Sequence, residues 1–198
     1  MTDKQIILGS SSPRRGEILR FFSLPFLQIA SHFDEESIPF TGDPEEYVKT
    51  LSLKKGEVLS VIHPESYILT ADTVVYLEGK VYNKPKNKEE AISFLEELSG
   101  KWHIVYTAVA LSIGGVQHVR VEKTKILFHK LTKSHIDHYL NHVNFLDKAG
   151  SYAIQQGGSL IVKKIEGCYY NVMGLPLSSL QELLNLVGID LWEHMNIL

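Results

Sequence analysis

The sequence predicts an α/β fold with a mixed β-sheet, on two patterns and one bound. Strand and helix periodicities alternate along the chain, which suggests parallel crossovers, while two long strand patterns meet at Gly114-Gly115, a hairpin signal that requires antiparallel pairing. The bound is length: 198 residues without a low-complexity linker or internal repeat fit one domain, 1–198, able to bury a substantial core.

The first element is the apolar run Ile6-Ile7-Leu8, followed by Gly9-Ser10-Ser11-Ser12-Pro13-Arg14-Arg15 and the helical pattern from Glu17 to Phe22. Ser12 reads as the N-cap and Pro13 as the first helical position, where its missing N–H costs nothing. Phe26 to Ala30 reads as a second strand, and His32 to Glu36 as an acidic loop. Asp43-Pro44-Glu45-Glu46 opens a helix to about Ile62, with apolar positions at Tyr47, Val48, Leu51, Val58, Leu59 and Ile62. Tyr67 to Ala71 is a buried-strand pattern that stops at Asp72 and resumes from Thr73 to Leu77; Glu78-Gly79-Lys80 turns the chain into Val81-Tyr82 and the loop Asn83-Lys84-Pro85-Lys86.

Asn87 with Glu90 makes a capping box for a helix to about Leu98, after which the hairpin strands run from Trp102 to Ile113 and from Val116 to Lys130. Thr132 caps a helix carrying His135, Ile136, Tyr139 and Leu140. Gly150 to Gly158 is a glycine-bearing loop, Leu160 to Ile165 a strand, and Gly174-Leu175-Pro176 leads into a last helix ending near Gly188.

Composition narrows the function. Hydrophobic residues at 44% and charged residues at 22% are the proportions of a soluble globular protein. A net charge of −3 gives no general attraction to nucleic acid or to an anionic membrane, so an anion site has to be a local basic cluster. The single cysteine, Cys168, excludes an internal disulfide and fits a reducing compartment. Met1 to Gln5 runs straight into a strand, and no stretch approaches the ~20 apolar residues of a membrane span, so the expected location is the cytoplasm.

Candidate chemistry sits at the ends of these elements. The Ser10 to Arg15 run gathers hydroxyls, two guanidinium forks and backbone N–H groups at a helix start, which suits phosphate; it is also what a capped surface helix with two solvated arginines looks like. Asp72 closes an apolar strand, where a carboxylate is costly to bury unless paired, hydrogen-bonded or metal-bound; a turn-capping aspartate is the plainer reading. Lys84 precedes Pro85 on an extended backbone and so projects from a fixed place, whereas Lys55, on a helix, reads by itself as a surface lysine. Asp34 and Glu35 offer the hard oxygens that magnesium uses alongside phosphates. His135, His138 and His142 share a helix face and are expected to be surface histidines. There is no P-loop, no G-x-G-x-x-G and no G-x-S-x-G elbow.

Six separated pieces, in order, resemble the Maf family of septum-formation-like proteins. They are Ser10-Ser11-Ser12-Pro13-Arg14-Arg15, Ala71 to Val75, Asn83-Lys84-Pro85, Leu98-Ser99-Gly100 with His103 and Thr107, Asp147 to Gln155, and Gly174 to Leu177. The resemblance runs from about residue 5 to residue 188 and implies an elongated mixed sheet flanked by helices, related to that of inosine triphosphate pyrophosphatases. It implies hydrolysis of nucleoside triphosphates to the monophosphate and pyrophosphate, with Mg or Mn as cofactor. Asp72 would be the proton acceptor that activates water, Ser10, Arg14, Arg15, Lys55 and Lys84 would hold the triphosphate, Glu35 with Asp72 would bind the metal, and Gln155 would touch the base.

Arg14, Thr73 and Gln155 look like the subgroup acting on dTTP and UTP; relatives acting on 7-methyl-GTP tend to carry tryptophan, glutamine and glutamate there. One departure is Lys54-Lys55-Gly56 in place of the more usual Glu-Lys-Ala, where Gly56 weakens the helix by ~1 kcal/mol relative to alanine. The family also resembles dimers, and the apolar segment from Leu191 to Leu198 is expected to dock against another surface. The alternative function is a nucleotide-binding regulator of cell division with little turnover; a monoesterase releasing phosphate is a third reading.

Overall fold

The computed structural model describes residues 4–155 and 157–196. Seven strands form one mixed sheet: β1 (Ile6–Gly9), β2 (Phe26–Gln28), β3 (Tyr67–Leu77), β4 (Lys80–Tyr82), β5 (Trp102–Ile113), β6 (Val116–Phe128) and β7 (Val162–Glu166). The spatial order is β2-β1-β3-β5-β6-β7, with β4 paired to β3 outside that path. β1 is parallel to β2 and β3, while β3, β5, β6 and β7 pair antiparallel, so the sheet is mixed as the hairpin and the crossovers require. The helices are α1 (Pro13–Leu19), α2 (Pro44–Ile62), α3 (Lys88–Leu98), α4 (Lys133–His142), α5 (Tyr169–Met173) and α6 (Leu177–Asn185).

The alternation along β3 decides what faces what. Leu69 and Ala71 join Ile18, Leu19, Leu180 and Leu183 on the face covered by α1 and α6, while Ile68 and Val74 meet Leu59, Leu51 and Val48 of α2 on the other. At its far end the sheet packs Val75, Val105, Ile126 and Phe128 against α3 and α4. Asp72 shares the parity of Ile68 and Val74, so its side chain is directed to α2, and Thr73 points to the opposite face.

Several expectations are corrected. β3 runs unbroken through Asp72 instead of stopping there, because its β5 partner pairs with every residue from Ile68 to Tyr76. The acidic loop contains a single 3-10 turn, Glu35–Ser37, started by Asp34 accepting from the Glu36 N–H at 3.1 Å. Ser12 precedes α1 without a side-chain cap; Ser10 instead braces the turn before the helix, its Oγ accepting from the Ser12 N–H at 3.1 Å. Asn87 accepts from the Glu90 N–H, but the Glu90 carboxylate returns to the Lys86 N–H, so the box closes one residue early. β2, β6 and α6 are shorter than the patterns suggest, β7 starts at Val162, Ile62 is exposed, and α5 was not expected at all.

Gly56 has a packing reason that outweighs helix propensity. A Cβ there would stand 2.7 Å from Gln117 Nε2 and 2.8 Å from Ser112 Oγ. The Gln117 amide donates to the Leu53 carbonyl at 2.9 Å and to Ser112 Oγ at 3.1 Å, so it clips the middle of α2 to the β5–β6 hairpin. Gly56→Ala is therefore expected to destabilise the fold by about 1 kcal/mol despite alanine's better propensity, because it expels Gln117. Denaturant titrations of Gly56→Ala in the wild-type and Gln117→Ala backgrounds check this: the penalty should shrink when Gln117 is already gone.

The C-terminal segment docks as expected as far as it is described. Leu191 is buried with Leu24, the Asn196 N–H donates to the Phe21 carbonyl at 3.1 Å, and Phe22 bridges Met195. Ile197, Leu198 and Met1 to Asp3 lie outside the described residues.

Candidate active site

A gap in the sheet makes the site. β1 last pairs with β3 at Gly9 and Thr70, and β4 takes up the same edge of β3 only at Val75. Between them, residues 71–74 present an open strand edge, and above it lies a cleft of about 920 Å³. Its wall includes Ser10, Arg14, Arg15, Glu35, Lys55, Asp72, Thr73, Lys84 and Gln155 together, so the residues that the family resemblance assigns to the site reach one place. Asp34 does not reach it, being occupied at the 3-10 turn.

Lys55 is the main surprise against a surface reading. It lies four residues after Leu51 and four before Leu59, on the stripe of α2 that faces the sheet, and is only 7% exposed. Its ammonium bonds Asp72 Oδ1 and lies 2.9 Å from Glu35 Oε1. Burial by itself would depress the Lys55 pKa, but the two carboxylates prevail and raise it. Burial likewise pushes Glu35 up, and Lys55, Lys84 and Arg15 together pull it below the usual carboxylate range.

Arg15 is held, not loose. Its Nε donates to the Gly174 carbonyl at 2.8 Å, Nη1 to Ser10 Oγ at 3.1 Å and to the Ala71 carbonyl at 2.8 Å, and Nη2 to Thr73 Oγ1 at 2.9 Å. Four of its five N–H donors are thus taken, and the fork reaches the gap in the sheet, where it bonds the Ala71 carbonyl of the open edge. Gly174 turns with φ +97° where a Cβ would come within 3.2 Å of Arg15 Nε. Thr107 donates to the Asn171 carbonyl at 2.8 Å, so it accepts from Thr73 Oγ1 at 3.0 Å, and the Thr73 hydroxyl is engaged on both sides.

Ser10 differs: its Oγ accepts from Ser12 N–H and Arg15, which leaves its own proton to donate. Gln28, which no sequence pattern marks, clips this turn by donating to the Ser10 and Ser12 carbonyls, both at 2.9 Å. Since α1 is only seven residues long, anion binding here falls to side chains more than to a helix dipole. Lys84 and the Gln155 amide make no hydrogen bond or ion pair among the described residues and are open to the cleft.

Behind the cleft wall, His103 is buried, with Nε2 2.9 Å from the Tyr152 hydroxyl and its ring edge-on to Phe128. Burial pushes its pKa down to about 4. The folded protein therefore refuses a proton that the unfolded chain accepts near pH ~6.5, so this contribution to stability is complete above that pH and is lost as pH falls towards the folded value. The denaturant midpoint should drop between pH 7 and pH 5, and by less in His103→Gln; equal drops would contradict this assignment.

For a divalent metal, the donor set is two carboxylates. Asp72 Oδ2 and Glu35 Oε2 carry no protein hydrogen bond among the described residues, while the other oxygen of each faces Lys55. No group of three or more His, Cys, Asp or Glu converges among the described residues. That fits a hard cation shared with substrate phosphates and water better than a closed protein cage. His135 and His142 are engaged with backbone groups of α4, in keeping with surface histidines.

The family model described as Maf-like protein matches residues 5–187. The chain belongs to the Maf family. Among its relatives, one named dTTP/UTP pyrophosphatase from Chlamydia caviae is 45% identical over 194 residues, 98% of this chain and 99% of the relative. Another, from Chlamydia muridarum, is named nucleoside triphosphate pyrophosphatase and is 41% identical, covering 96% of this chain and 98% of its own. A Geobacillus Maf relative named dTTP/UTP pyrophosphatase is 46% identical over 88% of this chain and 94% of its own. Among solved structures, the Staphylococcus aureus Ham1 protein covers 64% of this chain and 71% of its own at TM-score 0.44 and 15% identity.

Proposed function

We propose that this protein hydrolyses dTTP and UTP to the nucleoside monophosphate and pyrophosphate. The observation that carries the reading is Asp72: a buried carboxylate on an open strand edge, one oxygen fixed by Lys55 and the other free, in a cleft walled by basic groups. The relatives' names supply the reaction and the base preference.

In this reading Asp72 Oδ2 takes a proton from a water molecule as the water oxygen attacks the α-phosphorus and the bond from that phosphorus to the pyrophosphate oxygen breaks. The Lys55 ammonium keeps Asp72 oriented and Lys84 faces the triphosphate, so charge gathering on the leaving group meets fixed cations. The Ser10 hydroxyl donates to a phosphate oxygen, and Arg15 acts through Ser10 and Thr73 by holding the turn against the strand edge. Arg14 and Gln155, both on the cleft wall, would read the nucleotide, and a glutamine amide can both donate and accept, as the O4 and N3–H edge of thymine or uracil requires.

Asp72 and Glu35 would hold Mg or Mn. When bound, that cation would neutralise phosphate charge and help ionise water. A cytoplasmic location and a homodimer belong to the same proposal. The first is supported by the single free cysteine and by the fact that no helix of the described residues is long and apolar enough to cross a membrane. The second is supported by Trp192 and Met195, 76% and 57% exposed.

The test is turnover of dTTP, UTP, CTP, GTP and 7-methyl-GTP with Mg or Mn, following pyrophosphate and phosphate separately. Pyrophosphate from dTTP and UTP ahead of the others is the expected result. Tight nucleotide binding without turnover would leave the regulator, and phosphate release the monoesterase.

A further inference from the structure

We propose that Asp147 is a specificity-positioning residue, which fixes Arg14 as an oriented fork and thereby sets which nucleotide the cleft prefers. The proposal rests on the dTTP and UTP reading above. Arg14 is pinned at two points of one residue: Nη1 donates to Asp147 Oδ2 at 3.0 Å and Nη2 to the Asp147 carbonyl at 3.2 Å. A planar guanidinium held at two nitrogens has its orientation set as well as its place.

Asp147 is itself fixed. Its Oδ1 accepts from Lys148 Nζ at 2.7 Å, and that ammonium also donates to the Asn144 carbonyl at 2.5 Å. Lys148 is 7% exposed, so the pair is not a loose surface contact. Burial tends to raise the Asp147 pKa, but Lys148 and Arg14 bring it below the ordinary aspartate range.

The same stretch of chain then leads to Gln155, tied down on the way by the Gly150 N–H to the Asn83 carbonyl at 3.2 Å and the Ala153 N–H to the Tyr139 hydroxyl at 2.9 Å. Asp147 thus joins the Ser10 to Arg15 turn to the segment that carries the base-facing glutamine, and the anchor of Arg14 is continuous with the mount of Gln155.

The charge pattern says what this does. Triphosphate charge is common to all nucleotides, so attraction to it carries no information about the base. In this cleft that attraction falls to Lys84, which makes no ion pair among the described residues, whereas Lys55 is held by Asp72 and Glu35, Arg14 by Asp147 and Arg15 by its four acceptors. Arg14 keeps its Nε–H and one N–H on each Nη, three donors whose directions are set by the two contacts to Asp147. Directed donors discriminate by whether an acceptor stands at the right point, and a missing partner costs far more than a missing methylene. Freed from Asp147, the same guanidinium becomes a mobile cation that any triphosphate satisfies.

Asp147→Ala tests this, since it removes the carboxylate while the backbone carbonyl still holds one nitrogen. The ratio of kcat/KM for dTTP to that for CTP should fall at least fivefold, chiefly through KM. Arg14→Lys should give a similar loss, and the double variant no more than either alone, because all three remove one fork. A melting temperature within a few degrees of wild type shows that the loop is intact. An equal decrease for every nucleotide, or single effects that multiply in the double variant, would overturn the proposal. If the wild-type protein turns over no nucleotide, the pyrophosphatase reading fails separately. Calorimetric binding of non-hydrolysable dTTP and CTP analogues to the same variants then decides the Asp147 question by the same ratio.

Discussion

Replacing Asp72 with asparagine should lower pyrophosphate release from dTTP by about 10³-fold, while nucleotide binding changes little. The amide oxygen can still accept from Lys55, so the buried ammonium keeps a partner and the cleft keeps its shape. What disappears is the group proposed to take the water proton. Single-turnover rates and calorimetric binding of a non-hydrolysable dTTP analogue separate the two effects. A variant that still turns over within tenfold of wild type would show that Asp72 is no general base, and the buried pair would then be a structural ion pair.

Lys55→Met should cost both activity and stability. It leaves Asp72, with a side chain 8% exposed, beside Glu35 with no cation between them, and removing one partner of a buried pair costs about 3 kcal/mol or more. The pH dependence has a definite sign. The raised Lys55 pKa gives stability that is complete below the unfolded value of ~10.4 and lost as pH rises through the higher folded value. The lowered Glu35 pKa gives stability that is complete above the unfolded value of ~4.3 and lost as pH falls through the folded one, a smaller effect because Glu35 is 43% exposed. In the variant both gains vanish, and protonating the orphaned carboxylates relieves them. Its deficit against wild type should therefore be largest near pH 7 and shrink towards pH 4 in denaturant titrations; a constant deficit would mean that packing alone is lost.

Much of the architecture was legible because it rests on local signals. The Gly114-Gly115 turn, the Asp43-Pro44 and Asn87 helix starts and the Thr132 cap each appear at or within a residue of where short-range chemistry puts them. Asp72 misled on continuity: a carboxylate in an apolar run looks like a strand end, and only its partner on α2 makes a buried position tolerable. Lys55 misled for the converse reason, since a lysine reads as solvated until the carboxylates it faces are known; its spacing from Leu51 and Leu59 was the available clue. Thr107, Gln28 and Asn171 act through hydrogen bonds between residues distant in sequence, which no window of the chain displays. Gly56 looked like a weakness of α2 and is instead the place where Gln117 enters.

The reaction itself is most directly tested by hydrolysing dTTP in ¹⁸O-labelled water and weighing both products. Attack at the α-phosphorus, with Asp72 as proton acceptor, predicts one ¹⁸O in dTMP and none in pyrophosphate, with the signal lost in Asp72→Asn. Label in pyrophosphate, or release of inorganic phosphate with dTDP, would place the attack at another phosphorus and contradict the account.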